Sequence, residues 1–153
     1  MGYLKSGLIA VSVCAMVGAT VYAEELDPSI SRVPMNERAA AKAMKNPVAK
    51  TPENIAKGKA VFEGKGTCFL CHGPGGKGDG VGGVALNPSP RNFTNPKFHK
   101  NRTDGEMFWV IKNGSKGLNG TGNQTGMVPL MPTAVTEEEA WQAILYERSL
   151  EVK

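Results

Sequence analysis

Five consecutive residues in this sequence could do chemistry together: Cys68-Phe69-Leu70-Cys71-His72. Two thiols one helical turn apart can each add across one vinyl group of a porphyrin. The adjacent histidine can then present its imidazole to the central iron, and C-x-x-C-H is the attachment signal for c-type haem. Three plainer uses fit less well. A disulfide between Cys68 and Cys71 closes a very small loop and leaves His72 without a purpose. A thioredoxin-like redox pair needs a neighbouring βαβ pattern, which is missing. A zinc ion would have to use Cys68, Cys71, His72 and His99, with no ligand to spare and two adjacent residues on one ion. The expected cofactor is one covalent haem c, bound through Cys68 and Cys71, with His72 on the iron.

The sixth ligand separates an electron carrier from a binder of small molecules, because a thioether closes that position and raises the potential. Met127 and Met131 are the candidates, both in the loop before the last helix, where a side chain can reach the face opposite His72. Either could instead fill core space. An open sixth site would suit a peroxidase-like enzyme or a carbon monoxide or nitric oxide binder. The methionine-bearing loop argues for the closed site, and no catalytic acid, base or nucleophile is implied, so a non-enzymatic role is expected. Gly78-Asp79-Gly80-Val81-Gly82-Gly83 satisfies the G-x-G-x-x-G string of dinucleotide sites, but it follows no strand. Its glycines are read as letting the backbone pass close to a porphyrin edge.

The elements that must position these residues are helices joined by long loops. Thr51-Pro52 opens a first helix with Ile55, Ala56, Ala60, Val61 and Phe62 on its apolar face, ending near Gly64 or Gly66. Thr103-Asp104-Gly105-Glu106 is a capping box opening a second, closed by Asn113-Gly114. Thr136 to Glu139 caps a last helix with Ala140, Trp141, Ile144 and Leu145 as its inner stripe. The stretch around Pro88, Pro90 and Pro96 reads as wrapping loop. A chain with 19 glycines, 10 prolines and 7% aromatic residues would bury a thin core alone, whereas a large flat apolar cofactor would fill its centre.

Residues 1–23 read as a secretory signal peptide: Lys5, an apolar run from Gly7 to about Val21, and Val21-Tyr22-Ala23 as the cleavage site. The apolar run falls slightly short of the roughly 20 residues of a membrane span. Cleavage would remove Cys14 and leave Cys68 and Cys71 as the mature chain's cysteines. Residues 24–50 read as an N-terminal extension in which Asn36 to Lys45 could form a short helix, and residues 51–153 as the haem-binding domain. The expected location is the periplasm, with no membrane attachment after cleavage. Eleven Lys and Arg face five Asp and Glu between Lys50 and Lys116, while two face five between Thr136 and Lys153. The basic middle is either a solvated surface or a docking face for acidic redox partner proteins, with Lys65, Lys77 and Lys116 as the steering lysines. The lysines are scattered, so nucleic acid is not expected.

Taken together, residues 51 to 150 resemble the class I c-type cytochromes, the bacterial periplasmic monohaem cytochromes c. The order matches: helix, C-x-x-C-H, wrapping loop, short helix, methionine loop, last helix. Gly58 and Phe62 resemble the family's first-helix contact with an aromatic of the last helix, here Tyr146. Leu86 to Phe93 and Asp104 to Gly114 resemble members with a Pro-Pro-Arg loop and a Phe-Trp helix.

The resemblance implies an all-α cytochrome c-like fold of three to five short helices wrapped around one covalent haem. It also implies single-electron transfer as a monomer or in transient complexes. It further implies that the Pro88 carbonyl, or that of Pro90, accepts the hydrogen bond of the iron-bound imidazole, and that Arg91 and Trp109 are partners for haem propionates. An exposed arginine and a packed tryptophan are the plain alternatives. The chain departs from the family at the methionine. Met131-Pro132 has the usual dipeptide but lies five residues before Thr136, whereas Met127 lies nine before it and is favoured because a short loop cannot reach the iron. His99 is expected on the surface. A fixed subunit, held to a larger oxidoreductase by residues 24–50, remains the other role for such a domain.

Overall fold

Side-chain caps set the starts of four of the six helices described. The computed structural model describes residues 27–115 and 125–153. Its helices are α1 (Met35–Ala43), α2 (Pro52–Glu63), α3 (Phe69–His72), α4 (Pro96–Asn101), α5 (Asp104–Asn113) and α6 (Glu137–Ser149). No strand occurs among the described residues, and none of their helices is long and apolar enough to cross a membrane. The expected signal peptide, Cys14 and Lys116 lie outside the described residues.

Thr51 Oγ1 accepts the Asn54 amide at 3.2 Å, with Pro52 at the first helical position, where a missing N–H costs nothing. Thr103 with Glu106 and Thr136 with Glu139 form reciprocal capping boxes. The stretch expected to be loop around Pro96 contains α4. The Asn95 side chain accepts the Lys97 amide at 2.9 Å, so Pro96 starts a helix instead of interrupting one. With α1 formed as well, the described residues hold six helices, against the three to five expected.

The main packing is α2 across α6. A β-carbon on Gly58 would stand 1.9 Å from the carbonyl oxygen of Gln142, so the two backbones touch where only glycine fits. Beside that crossing, the fully buried Phe62 meets Tyr146 edge-on at 5.2 Å, and Phe108 of α5 stacks on Trp141 at 4.1 Å. Burying a side chain such as Phe62 or Ile144 contributes roughly 1.5–3 kcal/mol each.

Arg148 ties three helices together. Its guanidinium donates to Asp104 Oδ1 at 2.8 Å, to the carbonyls of His99 and Arg102 at 3.1 and 2.6 Å, and to His99 Nδ1 at 3.1 Å. His99 Nε2 donates in turn to the Phe93 carbonyl. His99 is therefore buried, not on the surface as expected. A histidine that both donates and accepts within the fold has no need of water.

Residues 27–50 pack on the domain. Val33 and Ala41 are buried against Trp109, and Trp109 Nε1 donates to Glu37 Oε2 at 2.8 Å. Asn46 Nδ2 donates to the Trp141 carbonyl at 3.1 Å.

Candidate functional site

The thiols and His72 sit on and just before the one-turn helix α3. Cys68 and Cys71 are both free and half-buried. The glycine run lies directly on this helix and takes up its carbonyls: Gly78 N donates to His72 O at 2.8 Å, Gly80 N to Cys71 O at 3.1 Å and Gly82 N to Leu70 O at 2.8 Å. A β-carbon on Gly80 would lie 2.3 Å from the Leu70 carbonyl oxygen. The glycines thus serve close approach to the α3 backbone, the turn that carries Cys71 and His72.

His72 Nδ1 lies 2.9 Å from the Arg91 carbonyl. Nδ1–H donates there, which leaves Nε2 with its lone pair available to a metal. Phe93 stacks on the imidazole at 4.4 Å and 18°, fixing the ring plane. Burial pushes the His72 pKa down to about 4, against the pull of the Arg91 carbonyl and with help from the charge of Arg32. The ring is therefore neutral, as a ligand must be. Burial, with the nearby Glu147, pushes the Cys68 thiol up to about 12, so its sulfur is held as a neutral thiol.

Cys68, Cys71 and His72 open into a largely apolar cavity. Its other walls come from Leu86 to Phe93, from Met107, Val110 and Ile111 of α5, and from residues 125 to 130. That last segment is pinned by Ser115 N donating to Met127 O at 3.0 Å and Leu130 N to Ile111 O at 2.9 Å. Met127 lines the cavity. Met131 is not in its lining and packs against the main core instead.

The polar lining is Ser31, Arg32, Arg91, Arg102, Glu106 and Glu147, with lesser contributions from small hydroxyls. Burial pushes the Glu147 carboxyl up to about 8; Arg148 opposes the shift and Asp104 adds to it. Arg102 is buried, and its Nη2 has no hydrogen-bond partner among the described residues. Apolar walls, two thiols on one helical turn, a neutral imidazole with a lone pair and a buried guanidinium nitrogen lacking an acceptor fit a haem with carboxylate side chains. No group of three or more His, Cys, Asp or Glu suited to a bare metal ion occurs among the described residues, which tells against the zinc arrangement.

The structure brings together Cys68, Cys71, His72, Pro88, Arg91 and Met127 around this cavity. Two expectations need correction. The imidazole hydrogen bond goes to the carbonyl of Arg91, not to that of Pro88 or Pro90. Trp109 does not line the cavity, because its indole faces α1 and donates to Glu37, so the packed alternative holds. The Arg91 guanidinium donates to the carbonyls of Asp27 and Ile30 at 3.2 and 2.8 Å. Arg32, Arg102 and Glu147 were missed. Arg32 and Arg102 look like ordinary surface charges in sequence, whereas Glu147 falls on the inner stripe of the last helix, three residues after Ile144, a spacing that could have marked it.

An all-α fold wrapped around a cavity that opens onto C-x-x-C-H defines a haem protein of the covalent type. The Cytochrome c family model matches residues 55–151, and the chain belongs to that family. Membership brings haem c with its iron and haem-based electron transfer. Among solved structures, the chain is similar to a protein of the Kuenenia stuttgartiensis reducing HAO-like protein complex. Identity there is 25% and the TM-score 0.56, over 71% of this chain and 50% of that one, so the chain spans half of that protein's length. It is also similar to cytochrome cL from the marine methylotroph Methylophaga aminisulfidivorans, at 19% identity and a TM-score of 0.46, over 86% of this chain and 81% of that one. Against curated protein sequences the chain has no match.

Proposed function

We propose that this chain is a periplasmic electron carrier, exported by residues 1–23, that takes and gives single electrons at one haem c whose iron is held by His72 and Met127. The observation that carries this reading is the placement of Met127 in the same cavity wall system as Cys68, Cys71 and His72, while Met131, outside that lining, packs half-buried against the core. When bound, the haem iron supplies the chemistry by alternating between ferric and ferrous states. The chain's own residues do the rest. Arg91 O fixes the tautomer and Phe93 the plane of His72, and Met127 would close the sixth position with a soft thioether that favours ferrous iron. The apolar walls exclude water, which also favours the less charged ferrous state. The role needs no acid, base or nucleophile.

Partners in this reading are redox proteins with acidic faces, met transiently. Lys77 is exposed and available for steering, whereas Lys65 is already paired with Glu139 at 2.8 Å. Association should slow as salt rises.

The test is the weak long-wavelength band of iron–methionine bonding in the oxidised protein, measured for wild type, Met127→Ala and Met131→Ala. Loss of the band in Met127→Ala alone is the expected result. A wild-type protein with no such band, whose reduced spectrum shifts readily with carbon monoxide, would establish the open-site reading instead. The similarity to one protein of a larger complex favours a second reading, a fixed subunit held through residues 24–50. A monomer at dilute concentration, with native extract causing no shift in size, counts against it.

A further inference from the structure

We propose that the N-terminal segment is a wall of the haem site, with Arg32 joining Arg102 to hold the haem carboxylates. The proposal rests on the haem reading above. The family match begins at residue 55, so it leaves residues 27–50 without a role. In the fold this segment is pinned to two residues that line the cavity. Arg91 donates to the carbonyls of Asp27 and Ile30, and Ser31 Oγ donates to Glu106 Oε1 at 2.8 Å. Arg32, the next residue, lines the cavity while only 8% exposed.

Removing a guanidinium from water costs several kcal/mol unless an anion meets it. Arg102 stands in the same lining, 9% exposed; Glu106 Oε1 lies 4.0 Å from its Nη1, but its Nη2 lacks a hydrogen-bond acceptor among the described residues. A guanidinium fork fits a carboxylate through two parallel N–H donors, and the porphyrin that C-x-x-C-H attaches carries two carboxylate side chains. The segment beyond Arg32 holds it in place. Val33 is 2% exposed against Trp109, Arg38 donates to the Val33 carbonyl at 3.1 Å, and Glu37 accepts from Trp109. A β-carbon on Gly105 would stand 2.0 Å from the Ala41 carbonyl oxygen, so α1 is seated directly on the start of α5. An idle tether would not need these contacts.

The experiment uses the full chain matured with haem in the periplasm, as wild type, Arg32→Gln, Arg32→Lys and Lys42→Gln. Lys42 is an exposed cation of the same segment and controls for charge alone. Covalent haem is measured first, by the pyridine haemochrome spectrum. Midpoint potential and the carboxylate-bending band in the resonance Raman spectrum follow. Arg32→Gln should keep its haem, shift the bending band, and move the reduction equilibrium about tenfold toward ferric iron, a fall of about 59 mV for one electron. Arg32→Lys should keep most of the potential yet still shift the band, because the charge remains and the fork is lost. Lys42→Gln should change neither. A haem-loaded Arg32→Gln with wild-type potential and band overturns the proposal. If Arg32→Gln fails to mature, an unchanged band in Arg32→Lys overturns it equally. A wild-type protein without covalent haem would overturn the haem reading itself, and this one with it.

Discussion

The backbone carbonyl of Arg91 holds Nδ1 of His72 at 2.9 Å, while the same residue's guanidinium holds the carbonyls of Asp27 and Ile30. One residue thus links the axial imidazole to the N-terminal segment. Arg91→Ala removes two charge-assisted hydrogen bonds and loosens the loop that orients the ring. The expected cost is about 2–3 kcal/mol of stability. Chemical denaturation of the holoprotein checks it, and an unchanged midpoint would deny the link.

The two methionines should separate stability from ligation. Met131 packs, half-buried, against the main core, so Met131→Ala should lower the melting temperature, costing about 1–2 kcal/mol, and spare the iron–methionine band. Met127→Ala should do the reverse and admit carbon monoxide to the reduced protein. Band loss in Met131→Ala would reverse the assignment.

Glu147 supplies a pH dependence. Its folded pKa, about 8, lies above the ordinary value of 4.5 because burial disfavours the carboxylate. Between those two values the unfolded chain releases a proton that the folded chain keeps, so the unfolded state binds fewer protons and stability falls as pH rises from 4.5 through 8. Glu147→Gln should flatten that slope and gain most at the alkaline end. Melting temperatures across the range measure it; parallel curves for both proteins would show that Glu147 does not titrate there.

The α2–α6 crossing has no slack. Gly58→Ala places a methyl 1.9 Å from the Gln142 carbonyl oxygen, and relief requires the two helices to separate. The expected cost is at least the roughly 1–3 kcal/mol of an overpacked core, with Phe62 and Tyr146 losing their contact. Yield of haem-loaded protein and its melting temperature report it, and a wild-type melting temperature would contradict so close a crossing.

Local chemistry made much of this legible in sequence. Cys68-Phe69-Leu70-Cys71-His72 declares its cofactor because spacing along one helical turn is a property of the chain itself. Thr51, Thr103 and Thr136 announced the starts of α2, α5 and α6 because a cap and its partner lie within three residues. Helix α4 is hidden because Pro96 by itself signals loop, and only Asn95 as its cap makes that proline a helix start.

What the tertiary structure alone decided is which distant residues share the cavity. The choice among the carbonyls of Pro88, Pro90 and Arg91 turns on a difference of one to three residues in where the loop passes His72, below the resolution of any pattern. Trp109 turned to Glu37 because α1 docks on α5, a contact made across 72 residues. Arg32 and Arg102 carry no sequence signal that separates them from surface charges, and Glu147 shows only its place on the inner stripe of α6. Their chemistry comes from burial, and burial depends on the whole chain closing around one site.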